Sequence, residues 1–248
     1  MSKKDKNYNI NKNILKEYQD NALQNAHGLL SEAQLLFNHK HYARAYFLAC
    51  LSMEETGKAC IAWTAQGRNL VNEGIHKILK DRFGHHTSKI SYAFYCWALI
   101  SSNLFSSAEQ MTNLQNLQMH LINGREKSMY VDIKVDNTIT LPSKIVRPKA
   151  SEDCIKIAHN CLVATKHYIA NNNPPKYSSI EDKFFCMNPE KLYTMFQNED
   201  FGHYLIDNLK KEPSIKYFMK CIVTYHDAYY CKKKKYKDIF SKKRISPT

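Results

Sequence analysis

Glycine and proline are scarce, seven of each in 248 residues, and a many-turned β fold is hard to build from so few. Their scarcity favours helices. Long apolar runs are missing as well. No stretch reaches the ~18 residues a membrane span requires, and residues 1–13 are polar and basic with no leader-like apolar run behind them. The expectation is a soluble, cytoplasmic protein with no membrane partner. Eight cysteines occur without a single Cys-x-x-Cys pair, mostly inside apolar helical patterns, and they read as reduced core residues. Cys154, His159, Cys161 and His167 are close together, but the two cysteines share one helical stripe with apolar company and the spacing fits no zinc site. The chain also lacks a Gly-rich phosphate loop and a Gly-x-Ser-x-Gly elbow, which argues against P-loop and α/β-hydrolase chemistry. No metal and no cofactor are expected.

Acidic residues are the other shortage: 23 Asp and Glu against 36 Lys and Arg leave a formal charge of +13. Acidic partners are therefore favoured, with nucleic acid, an anionic surface and an acidic protein all compatible with charge alone. Residues 232–248 hold seven lysines and one arginine against Asp238, which concentrates +7 of that excess at one end.

What the chain does have is helical periodicity, clearest over residues 27–60. Ala22, Ala26, Leu29, Leu30, Ala33, Leu36 and Phe37 recur at spacings of three and four, as do Tyr42, Ala45, Tyr46, Ala49, Met53, Ala59, Cys60 and Trp63. Only the polar Asn38-His39-Lys40-His41 separates the two patterns, so they form an antiparallel helical hairpin. In the second arm, Arg44 and the run Glu54-Glu55-Thr56-Gly57-Lys58 interrupt the apolar surface. Glu54 and Lys58 have the spacing of an exposed helical ion pair worth about 0.3–0.5 kcal/mol. Adjacent glutamates, however, point roughly 100° apart, so one of them can face an interface or a cleft.

Further along, Gly67 and Gly74 bracket a polar connector, and residues 75–82 form a short helical piece before the Phe83-Gly84-His85-His86 turn. A third long helix starts at Thr87, with a broad apolar face from Ile90 to Leu104 that implies central burial. A fourth segment through Leu117 and Leu121 stops at Asn123-Gly124. Alternation in Val131, Ile133, Val135, Ile139 and Leu141 around Asp136-Asn137 predicts a β-hairpin flap over 130–141. Ser151 is placed to cap a helix running to about Asn171. Pro174-Pro175 marks a boundary, after which residues 189–197, 201–210 and 214–231 suggest three short helices. The predicted organisation is thus a flexible N-terminus (1–13), a helical bundle (14–172), a helical extension (176–231) and a basic tail (232–248).

Asn25, the Tyr42-Ala43-Arg44-Ala45 start, Glu54-Glu55-x-Gly57-Lys58, Phe83-x-x-His86-x-x-Lys89 and the run Arg125-Glu-Lys-Ser-Met-Tyr130-Val131-Asp132 together resemble the AbiV-type abortive infection proteins, grouped with the HEPN superfamily. The likeness covers roughly residues 15–172. It implies an all-α, HEPN-like bundle that commonly dimerises, a role in bacterial anti-phage defence that halts host growth, a phage-encoded trigger protein, and RNA (tRNA, mRNA or rRNA) as target. HEPN ribonucleases are known for an Arg-(x)4–6-His motif in which arginine holds the phosphate and histidine assists attack by the 2′-hydroxyl. No arginine here has a histidine at that spacing; Arg125 has Tyr130 there instead, a weak base that can still donate to a phosphate.

The candidate catalytic set is therefore composite: Arg125, Tyr130 and His86, with Glu54 or Glu55 orienting the histidine. The competing reading is a structural network in which these groups merely satisfy one another. Arg44, Lys58 and Lys89 are candidate binding residues. His86 and Lys89 share a helix face at a helix start and could together receive a phosphate, or form a cap and a surface pair. Lys232, Lys233, Lys234 and Lys235, beside Tyr229, Tyr230 and Tyr236, suit RNA binding by charge and stacking, or else a last core helix followed by a solvated tail. Two functions stay open: an RNA-directed toxin that cleaves or clamps RNA, and a non-enzymatic protein that captures a phage or host component.

Overall fold

A computed structural model describes residues 10–100, 108–209 and 215–236. Its elements are α1 (Lys12–Asn38), α2 (Tyr42–Ala65), α3 (Glu73–Gly84), α4 (His86–Ile100), α5 (Ala108–Lys127), β1 (Asp132–Ile133), β2 (Ile139–Thr140), α6 (Pro142–Ile145), α7 (Pro148–Asn171), α8 (Ser179–Phe185), α9 (Pro189–Phe196), α10 (Glu199–Leu209) and α11 (Ile215–Tyr225), with a π-helical turn at His226–Tyr230. The fold is all-α apart from one small hairpin, as the scarcity of turn residues predicts. The expectations for residues 1–9 and for most of the basic tail, together with Leu104 and Glu212-Pro213, lie outside the described residues.

The chain forms two compact units. The first comprises residues 1–70 and 79–175 and centres on α2, which packs on α1, α4 and α7. Sixteen of the 24 residues of α2 are buried, so its surface is enclosed nearly all round and any charge in its middle must find a partner inside. Small side chains permit this. Ala22, Ala26 and Ala33 of α1 face Ala45, Ala49 and their neighbours of α2, and the Ser52 hydroxyl donates to the Ala26 carbonyl at 2.7 Å. The α1–α2 turn closes through Lys40, at φ 64°, with His41 N–H donating to the Leu36 carbonyl.

Two local readings need correction. Asn123-Gly124 does not stop α5, which continues to Lys127; Gly124 is there because the Tyr46 ring packs where a Cβ would stand. Ser151 does not cap α7, which begins at Pro148 after Arg147; Ser151 is buried one turn inside the helix. The predicted flap is present as a β-hairpin: β1 and β2 pair Asp132 with Thr140 and Ile133 with Ile139 around a turn in which Asn137 takes φ 62°, and Val131, Ile133, Val135 and Ile139 face water.

The second unit comprises residues 71–78 and 176–248. Its core gathers Met195, Phe201, Tyr204, Cys221, Ile222, Tyr225 and Tyr236. Buried Asp200 organises it, accepting from the Tyr225 hydroxyl and the Tyr236 N–H at 2.8 Å each. Tyr229 packs on Tyr204, Tyr225 and Tyr236. Tyr236 is thus a core residue, and Tyr229 packs against it half-buried. Helix α8 was not anticipated, although Ser178 and Glu181 form a capping box that announces it.

Candidate functional site

The site is built on Glu54, halfway along α2 and only 2% exposed. A carboxylate that deep is stable only if paired, and three cationic or polar groups from two other helices meet it. Arg125, near the end of α5, donates through Nε to Oε1 at 2.5 Å. Lys89 Nζ lies 2.8 Å from Oε2, and His86 Nδ1 lies 2.7 Å from the same oxygen. Burial by itself would raise the Glu54 pKa. Hydrogen bonds from Lys89 and His86, and the charges of Lys89 and Arg125, reverse that and hold the carboxyl below its ordinary value.

Two glycines set the distances. At Gly57 the α4 backbone approaches so closely that an added Cβ would overlap the Lys89 carbonyl. At Gly124 an added Cβ would run into the Tyr46 ring of α2. The first contact brings His86 and Lys89 onto Glu54, and the second brings Arg125. Phe83, just before α4, is held edge-on by Tyr18 of α1 at 5.0 Å between centroids. The Arg125 guanidinium lies over the Phe47 ring at 5.4 Å. Buried Ser128 closes the end of α5 by donating to the Arg125 carbonyl at 2.5 Å.

His86 is the first residue of α4, and half of its side chain is exposed, 51% against 3% for Glu54. A carboxylate oxygen only accepts, so the 2.7 Å contact has His86 Nδ1 donating to Glu54. His86 and Arg125 both line a cleft of about 680 Å³, walled by Ile90 and Ile122 and closed by the flap residues Asp132 and Thr140. Tyr130 lines the same cleft and is 58% exposed. Glu126 and Asp132 add carboxylates to the lining, Lys127 adds a cation and His85 a second imidazole.

Of the residues singled out from sequence, Glu54, His86, Lys89 and Arg125 form one network, and Tyr130 shares their cleft. Lys89 is turned inward, so the anion that it and His86 receive is the Glu54 carboxylate itself. Glu55 is elsewhere, paired with Lys58 at 2.6 Å. Of the two glutamates it is therefore Glu54 that orients the histidine. Arg44 is exposed ten residues before Glu54, about 15 Å along α2, and does not line the cleft. Lys232, Lys233, Lys234 and Lys235 are exposed in the second unit. Phe47, Gly57, Ser128 and Gly124 were missed as site-builders. Gly57 and Gly124 stand inside or beside the recognised motifs, which was the available signal.

Among the described residues no cluster of side chains could hold a metal ion, and no helix is long and apolar enough to cross a membrane. No curated protein and no solved structure matches the chain. A family model described as AbiV, of the HEPN group, matches residues 14–163, well over half of the chain and a span that includes every residue of the cleft network. The chain belongs to the AbiV family of HEPN proteins.

Proposed function

We propose that this protein is an effector of anti-phage abortive infection that binds RNA in the Glu54–His86–Arg125 cleft and cleaves it without a metal. The observation that carries the reading is that one buried carboxylate holds a histidine and an arginine, 39 positions apart in sequence, on the wall of a single cleft. The network sets one carboxylate against two permanent cations, Lys89 and Arg125, even before His86 is protonated. On the cleft side of that network Arg125, with His86 and Lys127 also on the wall, offers a guanidinium to an incoming phosphate, which favours this reading over a self-contained structural role.

In the reaction His86 Nε2 takes the proton of a ribose 2′-hydroxyl, and the 2′-oxygen attacks the adjacent phosphorus. The bond to the 5′-oxygen breaks, and that oxygen leaves with a proton from water. The products are a 2′,3′-cyclic phosphate and a 5′-hydroxyl end. Arg125 stabilises the charge developing on the phosphate, and Tyr130 donates a hydrogen bond to it. His86 thereby stands in for the histidine that the Arg125-to-Tyr130 spacing lacks.

The test is to incubate the purified protein, with and without a phage trigger protein, with total RNA and tRNA and to analyse the fragment ends. Cyclic-phosphate ends that disappear with His86→Ala and fall at least 100-fold with Arg125→Ala are the expected result. Intact RNA under every trigger, with both variants still protecting cells, would remove the enzyme. That outcome would leave the second reading, capture of a phage or host protein, for which the solvent-facing Val131, Ile133, Val135 and Ile139 of the flap are the supporting observation.

A further inference from the structure

The first unit carries a second groove, of about 690 Å³, between α1 and α7, lined by residues that the proposed reaction does not use. Its rims are polar, with His27 and Gln34 on α1 and Lys156, His159, Asn160 and Lys166 on α7. Spacings of three, four and seven put each set on a single helical stripe, so two rows of donors border the groove over about 15 Å of α7. The floor is apolar, from buried Leu30 and Leu162. No carboxylate lines it. Lys156 is paired with Glu152 one turn earlier on α7, whereas Lys166 makes no ion pair among the described residues. His159, which lies near Cys154 and Cys161 in sequence, is parted from them by the fold: both cysteines are buried in the core and the histidine faces the groove.

We propose that this groove is a second RNA site, which grips the phosphate backbone apart from the cleavage cleft. The inference rests on the reading that RNA is the substrate. Two lysines, two histidines and the side-chain amides of Gln34 and Asn160 supply donors for phosphate oxygens, and the apolar floor takes the ribose faces. No aromatic side chain lines the groove, so it offers no stacking platform, and the grip is independent of base sequence. An acidic protein helix would meet the same cations. RNA is favoured because this same unit carries the proposed cleavage cleft, with the Arg125 guanidinium and His86 on its wall.

The experiment uses the full-length His86→Ala protein, which binds without cutting, titrated with a fluorescent single-stranded RNA and with tRNA over a range of salt. Adding Lys156→Ala and Lys166→Ala should weaken binding at least tenfold and flatten the salt dependence by about one to two released counterions. Both side chains are exposed, and a thermal melt checks folding; Lys166→Glu alone, which leaves the Glu152 pair intact, is the second variant. Unchanged affinity and slope in both variants would overturn the groove while leaving the cleavage reading, which is judged separately by the RNA ends the unmodified protein produces. Competition by polyglutamate as strong as that by unlabelled RNA would also overturn it, and would assign the groove to an acidic protein.

Discussion

At the scale of single residues, Glu54 carries the most consequence. Its neighbours hold its carboxyl below the ordinary value, so it contributes stability that is complete above the unfolded carboxylate pKa near ~4.5. That contribution is lost as pH falls through the lower folded-state pKa. Acid titration of the unmodified protein should therefore show a loss of melting temperature in that window, and Glu54→Gln should be less stable at pH 7 with a flatter profile below ~4.5. Removing the carboxylate leaves Lys89 and Arg125 with an uncompensated buried charge, at a cost of about 3–5 kcal/mol by chemical denaturation. His86→Ala removes a half-exposed ring and one hydrogen bond to the buried carboxylate, while Lys89 and Arg125 still pair it, and should cost less than Glu54→Gln, about 1.5–3 kcal/mol, while abolishing cleavage. That contrast separates the group that builds the site from the group that acts in it.

At the scale of elements, the site depends on how close α4 and α5 come to α2. Gly57→Ala forces a methyl into the Lys89 carbonyl, a backbone atom that moves only if α4 moves. Gly124→Ala meets the Tyr46 ring instead, which can turn to a limited degree. Both should destabilise by about 1–3 kcal/mol, with Gly57→Ala at the upper end. Gly57→Ala should also lower RNA cleavage more than its stability loss explains, because His86 and Lys89 travel with α4. Equal activity per folded molecule in both variants would show that helix spacing does not govern the site. The periodicity of α1 and α2 was legible because small apolar residues recur at regular spacings. The role of Gly124 was not, because a glycine near a helix end has the same local pattern whether it ends the helix or admits a ring. Ser151 misled for a similar reason: a good cap residue was outweighed by Pro148, whose fixed φ and missing N–H suit the first helical position.

At the scale of the molecule, charge is unevenly distributed, with +7 of the +13 in residues 232–248. Replacing Lys232, Lys233, Lys234 and Lys235 of that segment by alanine, which leaves Tyr236 in its core place, should weaken RNA binding at low salt and reduce the slope of log affinity against log salt, without changing where RNA is cut. Fluorescence titration and end-mapping of the same RNA would check both halves. A shifted cleavage position would give the tail a role in choosing the target. Tyr236 is packed in the core of the second unit, with Tyr229 against it, so the lysines are varied without touching either ring.

Composition and periodicity determined that the chain is helical and that its first two long helices pair across a short break; the order and spacing of its motifs carry the resemblance to the AbiV group. These are properties of neighbours in sequence, where a spacing of three or four residues places side chains on one face. Which glutamate is inside, which histidine it holds, and which tyrosines are core were decided only by tertiary structure. Glu54, His86 and Arg125 meet through contacts between helices 32 and 71 positions apart in sequence. A helical period specifies which way a residue faces on its own axis, but not how closely two axes approach. Here that approach is set by the two places, Gly57 and Gly124, where a side chain is missing.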